Sequence, residues 1–457
     1  MKQSLWVDEK ARAASIELGK SMLALIRELY PIGRSITGPG LRETVARLSE
    51  IVPLQITEVP SGTQVLDWIV PDEWSVEEAF IETATGQRVV DWKESNLHLV
   101  GYSLPIDAEM TLAELRPHLY SLPEHPDWIP YRTSYYSPNW GFCLADRVLK
   151  GLPEGRYRVV IKSKLAPGSL TLAEYVHVGA TADEVLIFAH DCHPSLANDN
   201  LSGLSVAIHL AAFLRSRVTH YTYRFVFAPA TIGSLTWLAS NEGSLHRIRH
   251  GLVLSLLGDS GPIHYKETRV GDHPIDRAAW HVLSTEFPGS KKVDFLPWGY
   301  DERQYNSPGI NLAVGRITRT PNGEFPEYHT SADNPDFLRA ESLAESWVAC
   351  LKVLEALDCD ARYVNLQPKG EPQLGRRGLY RATGGHQDVP ERQLALLWVL
   401  NQSDGLHSLV DIAERSRLPF SVIFNAAVDL ERVGLLAPVH EAGAGSDNGR
   451  ASRNGNP

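Results

Sequence analysis

EVLIFAHDCHPSLANDNLSGLSVAIHLAAFLRSR, residues 184–217, decides the fold. EVLIFA is a short apolar run of the buried-strand type, HDCHPSLANDN is a polar loop, and the apolar residues of the remainder recur at helical spacing. Working outward, YRVVIKSKL (157–165), YRFVFAP (223–229) and LVLSLL (252–257) repeat the strand signature, and LAESWVACLKVLEAL (343–357) repeats the helical one. Strands that alternate with helices predict an α/β domain with a parallel or mixed sheet covered on both faces. Ligands of such sheets gather at the C-terminal ends of strands, where the polar clusters of this chain fall.

Further out the text changes character. AASIELGKSMLALIRELY (13–30) reads as one amphipathic helix, followed by the Gly- and Pro-rich loop PIGRSITGPG (31–40). From 61 to 150 the sequence is rich in Trp, Tyr and Pro with short β-type runs such as TQVLDWIV and RVVDWKE, which predicts a β-rich insertion. The catalytic domain is therefore expected to comprise residues 1–60 and 151–365. A Gly/Pro/Arg-rich linker (365–390) leads to three short helical runs of winged-helix type within 385–440, and the polar tail 441–457 is expected to be disordered.

The 457 residues suit two or three domains, and 43% hydrophobic with 22% charged residues is the composition of a globular protein. A net charge of −11 argues against nucleic acid as the main partner. Residues 385–440 hold four Arg and no Lys against seven Asp and Glu, so the winged helix is expected to contact protein, not DNA. Self-association through it or through the insertion is left open. No run of ~20 apolar residues is present to span a bilayer, and the N-terminus lacks a signal-peptide pattern. Four widely spaced cysteines without a CxxC pair fit a reducing cytoplasm.

Chemistry concentrates in two loops. HDCHPSLANDN delivers His190 and His193 from a strand end and Asp199 just before a helix; EFPEYHTSADNPDFL (324–338) places His329 in a polar loop. Imidazole nitrogen and carboxylate oxygen are zinc donors, and a catalytic zinc uses three of them with one position left for water. Spacing alone leaves the bland readings standing: His193 as a loop histidine before Pro194, Asp199 as a helix N-cap.

AHDCHPSLANDNLSG resembles the metal-binding signature of the co-catalytic zinc aminopeptidases, with His190 at the strand-end histidine and Asp199 at the bridging aspartate. GYDERQYNSPGIN (299–311) resembles that family's Ser-Asp-His segment, with Asp301 at its aspartate, and HTSADNPDFL resembles its terminal histidine motif, with His329 as ligand. PIGRSITGPG, HDCHPSLANDNLSG, TIGS and EFPEYHTSADN together resemble a bacterial family that joins an aminopeptidase-like domain, a β insertion and a C-terminal winged helix and is linked to polysaccharide biosynthesis. The resemblance implies a zinc-dependent hydrolase acting on a small aminoacyl or peptide-like substrate.

The departures bear on mechanism. Cys192 stands where those aminopeptidases carry a second aspartate, Ala230 and Thr231 replace their Glu-Glu pair, and Ser255 replaces a further aspartate ligand. One zinc, held by His193, Asp199 and His329, is expected in place of two, with His190 outside the ligand set; the alternative exchanges the roles of His190 and His193. With the usual glutamate base absent, Glu302 is the expected proton-transfer residue ahead of Glu324 and Glu327. Asp301, Arg303 and Arg34 are the expected substrate contacts. A zinc-binding protein without turnover, and a deacylase of sugar or secondary metabolism, are the competing readings.

Overall fold

A computed structural model describes Trp6, residues 9–379 and residues 389–439. The expected tail and part of the expected linker therefore lie outside the described residues. The chain divides into two units, residues 1–359 and 360–457.

The first unit is built on an eight-stranded mixed sheet in the order Gln55–Pro60, Ser169–His177, Thr222–Ala228, Glu184–His190, Ile248–Leu254, Val314–Thr318, His264–Lys266, Lys291–Val293. The four strands Thr222–Ala228, Glu184–His190, Ile248–Leu254 and Val314–Thr318 are mutually parallel neighbours. Val185, Leu186, Ile187, Phe188 and Ala189 are all buried. Removing such side chains from water contributes ~1.5–3 kcal/mol for each large one. That continuous burial is why EVLIFA carries no polar alternation. Helix Glu9–Leu29 lies along Ala340–Asp358, and Gly203–Leu214 packs against the central strands.

A four-stranded antiparallel sheet forms the insertion, ordered Arg88–Asp91, Glu73–Thr83, Arg156–Ala166, Ile106–Thr111. This corrects the reading of YRVVIKSKL as a strand of the main sheet. Tyr157, Val159 and Ile161 are buried while Arg156, Arg158 and Lys162 are exposed, an alternation with one wet face that only the buried Val160 interrupts within 156–162.

The second unit has a three-stranded antiparallel sheet, Asp404–Ser408, Arg362–Asn365 and Leu436–Pro438, with helices Val389–Gln402, Leu409–Ser416 and Phe420–Arg432. Residues 362–365, assigned from sequence to the end of the catalytic domain, are a strand of this sheet. Helix Leu409–Ser416 opens on a reciprocal capping box between Ser408 and Asp411. No helix among the described residues is long and apolar enough to cross a membrane.

Candidate metal centre

Strand Glu184–His190 ends at the sheet's C-terminal rim, so His190 is delivered there by the apolar run behind it. The chain then passes through His193 and reaches Asp199, whose φ of −108° and ψ of 85° interrupt the helical backbone before Gly203–Leu214 begins. Asp333 holds this turn. Its Oδ1 accepts from Asn198 N at 2.5 Å and its Oδ2 from Asp199 N at 3.0 Å. The Asp333 backbone oxygen accepts from Ala197 N at 3.0 Å.

Four groups converge on the fully buried Asp199 carboxylate. On one side, Oδ1 accepts from His190 Nε2 at 3.0 Å and from the Tyr300 hydroxyl at 2.9 Å. On the other, Oδ2 faces His329 Nε2 at 2.8 Å and His193 Nε2 at 3.7 Å. His190, His193 and Asp199 form a triple whose donor atoms all lie within 4.8 Å of one another, and His329 falls outside it. Proton placement nevertheless separates the two histidines. Asn200 Nδ2 approaches His190 Nδ1 at 3.3 Å, while Asn200 Oδ1 accepts from Leu256 N, which fixes the amide's orientation. This orientation assigns His190 Nδ1 as an acceptor and Nε2 as the N–H facing Asp199 Oδ1. His193 instead has Nδ1 on the Cys192 sulfur at 3.1 Å, leaving Nε2 toward Oδ2.

Exposure follows the same division. The His190 side chain is 0% exposed, whereas His193 is 13% and His329 34% exposed, so the Oδ2 side is the one open to a ligand. The donor set, one carboxylate oxygen with imidazole nitrogens on an accessible face, fits zinc. Burial drives the His193 imidazole down to about 3, keeping it neutral as a metal ligand must be. Burial opposes ionisation of Asp199, yet its histidine neighbours hold the carboxyl well below its ordinary range. His190 is pushed down by burial and lifted above its ordinary value by the bond to Asp199.

The insertion borders this face. Tyr131 N donates to the His329 carbonyl at 2.8 Å, and Ile129 and Ser331 exchange two hydrogen bonds of 2.9 Å. These bonds hold His329 at φ +56°. The Tyr131 ring stands 5.2 Å from that of His193 and 5.1 Å from that of His329.

Several expected site residues lie elsewhere. Glu302 Oε1 accepts from Lys266 Nζ at 2.8 Å and lies 3.6 Å from Arg316, with the carboxylate fully buried. The expected proton-transfer carboxylate thus neutralises two interior cations. Arg34 Nε donates to the His193 carbonyl at 2.9 Å and Nη1 to Leu29 O at 2.5 Å, so this guanidinium ties the His193 loop to the end of helix Glu9–Leu29. The Arg303 guanidinium sits 6.0 Å from the Trp298 ring. Asp259 accepts from Asn198, Gly261 and Thr320 and is the turn aspartate its GDSG context implies. Asp301 lies within electrostatic reach of His190: Oδ1 accepts from Ser234 at 2.6 Å, Oδ2 has no partner among the described residues, and burial pushes the carboxyl up to about 6. Asp191 is buried, and burial pushes its carboxyl up to about 7. Asp333, Tyr300 and Tyr131 were not anticipated. Asp333 and Tyr300 carried a signal, the first four residues beyond His329 in the same polar motif and the second immediately before Asp301.

This mixed sheet, with a His/Asp cluster on its strand-end rim, is the aminopeptidase-like fold. It aligns with a zinc aminopeptidase from Bacillus subtilis at TM-score 0.55 and 13% identity, over 74% of this chain and 94% of that one. A peptidase M28 precursor from Shewanella amazonensis aligns at TM-score 0.52 and 14% identity, over 77% and 97%. The chain belongs to the family described as domain of unknown function DUF4910, whose model matches residues 23–360, and a winged helix-turn-helix model matches 361–438. A Clostridium acetobutylicum protein, named for polysaccharide biosynthesis and an aminopeptidase-like domain, is 47% identical over 92% of this chain and 97% of its own length. The crystal structure of a candidate peptidase from the same organism superposes at TM-score 0.90 with 46% identity, over 94% of this chain and 99% of that one.

Proposed function

We propose that this chain is a zinc-dependent hydrolase of aminopeptidase type, cleaving an amide bond in a small aminoacyl or peptide-like substrate. The observation that carries the reading is the split environment of Asp199. Its Oδ1 is occupied by His190 and Tyr300, while Oδ2 shares an accessible face with His193 and His329. His193, Asp199 and His329 would hold one zinc ion, and His190 would orient Asp199 from behind. Bound there, zinc supplies Lewis acidity toward a carbonyl oxygen and acidifies water.

The chain's own residues do the rest. The Tyr300 hydroxyl fixes Asp199 through Oδ1, and the Tyr131 ring shields His193 and His329 from bulk water. Asp301 replaces Glu302 as the carboxyl proposed to carry a proton, because its buried Oδ2 is unpartnered and its affinity for protons is raised toward neutrality.

A panel of aminoacyl p-nitroanilides and dipeptides tests the proposal. Turnover that disappears on chelation and returns with zinc supports it, and Asp301→Asn should lower kcat ~10²-fold or more. A zinc-loaded protein inert on the whole panel would favour the reading as a binding protein without turnover.

A further inference from the structure

Beside the metal centre lies a separate cavity of about 180 Å³, between the PIGRSITGPG loop and the insertion. At ~30 Å³ per molecule that is room for about six waters, or for one small organic group. Arg34, Glu43, Trp74, Trp92, Tyr131 and Pro194 are among its walls. Tyr131 and Pro194 are shared with the metal site: Pro194 follows His193, and the Tyr131 ring packs on both His193 and His329.

Arg34 is the unusual wall. The residue is 2% exposed, its Nε and Nη1 hold the carbonyls of His193 and Leu29, and its Nη2 is buried without a hydrogen-bond partner among the described residues. A buried cationic donor left unmade is costly, and such groups are ordinarily paired. Neither Asp191 nor Glu43, the acids closest in electrostatic influence, forms an ion pair with it among the described residues. The Tyr131 and Tyr135 hydroxyls lie 3.2 Å apart on the same lining, adding polar groups beside aromatic walls.

We propose that this cavity is the substrate-selectivity pocket of the metal site, and that it receives a carboxylate-bearing group of the substrate on Arg34 Nη2. The inference deepens the hydrolase reading and rests on it for the word substrate. One unpartnered guanidinium nitrogen with neighbouring hydroxyls matches a carboxylate oxygen, and phosphate is the competing anion in the test. Because the same guanidinium grips the His193 carbonyl, an occupied pocket and a correctly placed His193 share one anchor. The preferred substrate is then an acidic aminoacyl or peptide-like compound whose carboxylate lies about one side chain from the scissile amide.

Isothermal titration of the zinc-containing full-length protein with glutarate, its neutral diamide glutaramide, and inorganic phosphate tests this without turnover. Glutarate should bind saturably and at least tenfold more tightly than either of the others. Ser75→Phe, which fills the cavity from the insertion side and leaves the bonds of Arg34 intact, should weaken glutarate at least tenfold while zinc content stays unchanged. Arg34→Lys should weaken it too, but that variant also loosens the His193 loop, so Ser75→Phe decides. Equal binding of glutarate and glutaramide, tighter binding of phosphate, or glutarate binding untouched by Ser75→Phe each overturns the proposal; the last places the carboxylate on the metal. Failure of the hydrolase reading shows separately, as absent turnover with glutarate binding intact.

Discussion

Asp333 is the residue on which the metal-site geometry most depends, and its removal has a calculable cost. Its two carboxylate oxygens are the acceptors for the backbone N–H groups of Asn198 and Asp199. Asp333→Ala leaves both donors buried and unpaired, at ~1–3 kcal/mol each, or about 2–6 kcal/mol together. Part of this is offset, because burial already pushes the Asp333 carboxyl up to about 8 and the variant abolishes that desolvation. The expected net loss is therefore about 2–4 kcal/mol, and Asp333→Asn, which retains one acceptor, should lose roughly half as much. The Ala197 N–H stays bonded, since its acceptor is the backbone oxygen of residue 333. Urea unfolding of chelated protein reads this cost apart from metal binding. Competition with a chromophoric chelator should show zinc affinity falling ~10–100-fold, the usual effect of losing a group that orients a ligand. An Asp333→Ala protein within ~0.5 kcal/mol of the parent, with unchanged zinc affinity, would refute the clamp.

Glu302→Gln should lower stability by ~3 kcal/mol or more, because it leaves the buried Lys266 ammonium without its anion; a thermal shift near zero would return Glu302 to candidacy as a catalytic group. His250 is buried, and burial lowers its imidazole to about 4. The unfolded chain takes up a proton there below ~6.5, so this contribution is complete above pH 6.5 and lost as the pH falls toward 4, about 3 kcal/mol in all. The difference in unfolding free energy between parent and His250→Leu should change by that amount across the window, and a constant difference would contradict it. A fragment of residues 1–359 should fold and keep its zinc, since the division between units falls there; aggregation of the fragment would show a shared core.

What the sequence disclosed follows from what each signal encodes. EVLIFA announced a buried parallel strand because both faces of that strand are covered, and the histidines at its end were legible from the loop that follows. The strand Arg156–Ala166 was misassigned because an apolar run identifies a strand but not the sheet it joins; its alternating arginines were the overlooked cue. Adjacency misled at Glu302. Successive residues on a helical turn point about 100° apart, so Asp301 turns toward Ser234 while Glu302 meets Lys266, thirty-six residues earlier in the chain. Tyr131 was invisible for a related reason: it reaches the site from the insertion through a backbone bond to His329, a long-range pairing that no local pattern records.

The central claim is that one zinc sits on the Oδ2 face of Asp199, held by His193 and His329 with His190 behind. Zinc content and dissociation constant, measured by plasma mass spectrometry and chelator competition on the parent, His190→Ala, His193→Ala and His329→Ala proteins, test it most directly. One zinc per chain is expected in the parent, with near-complete loss in the His193 and His329 variants and retained but weakened binding in His190→Ala. Two zinc ions per chain, or zinc lost in His190→Ala and kept in His193→Ala, would contradict it.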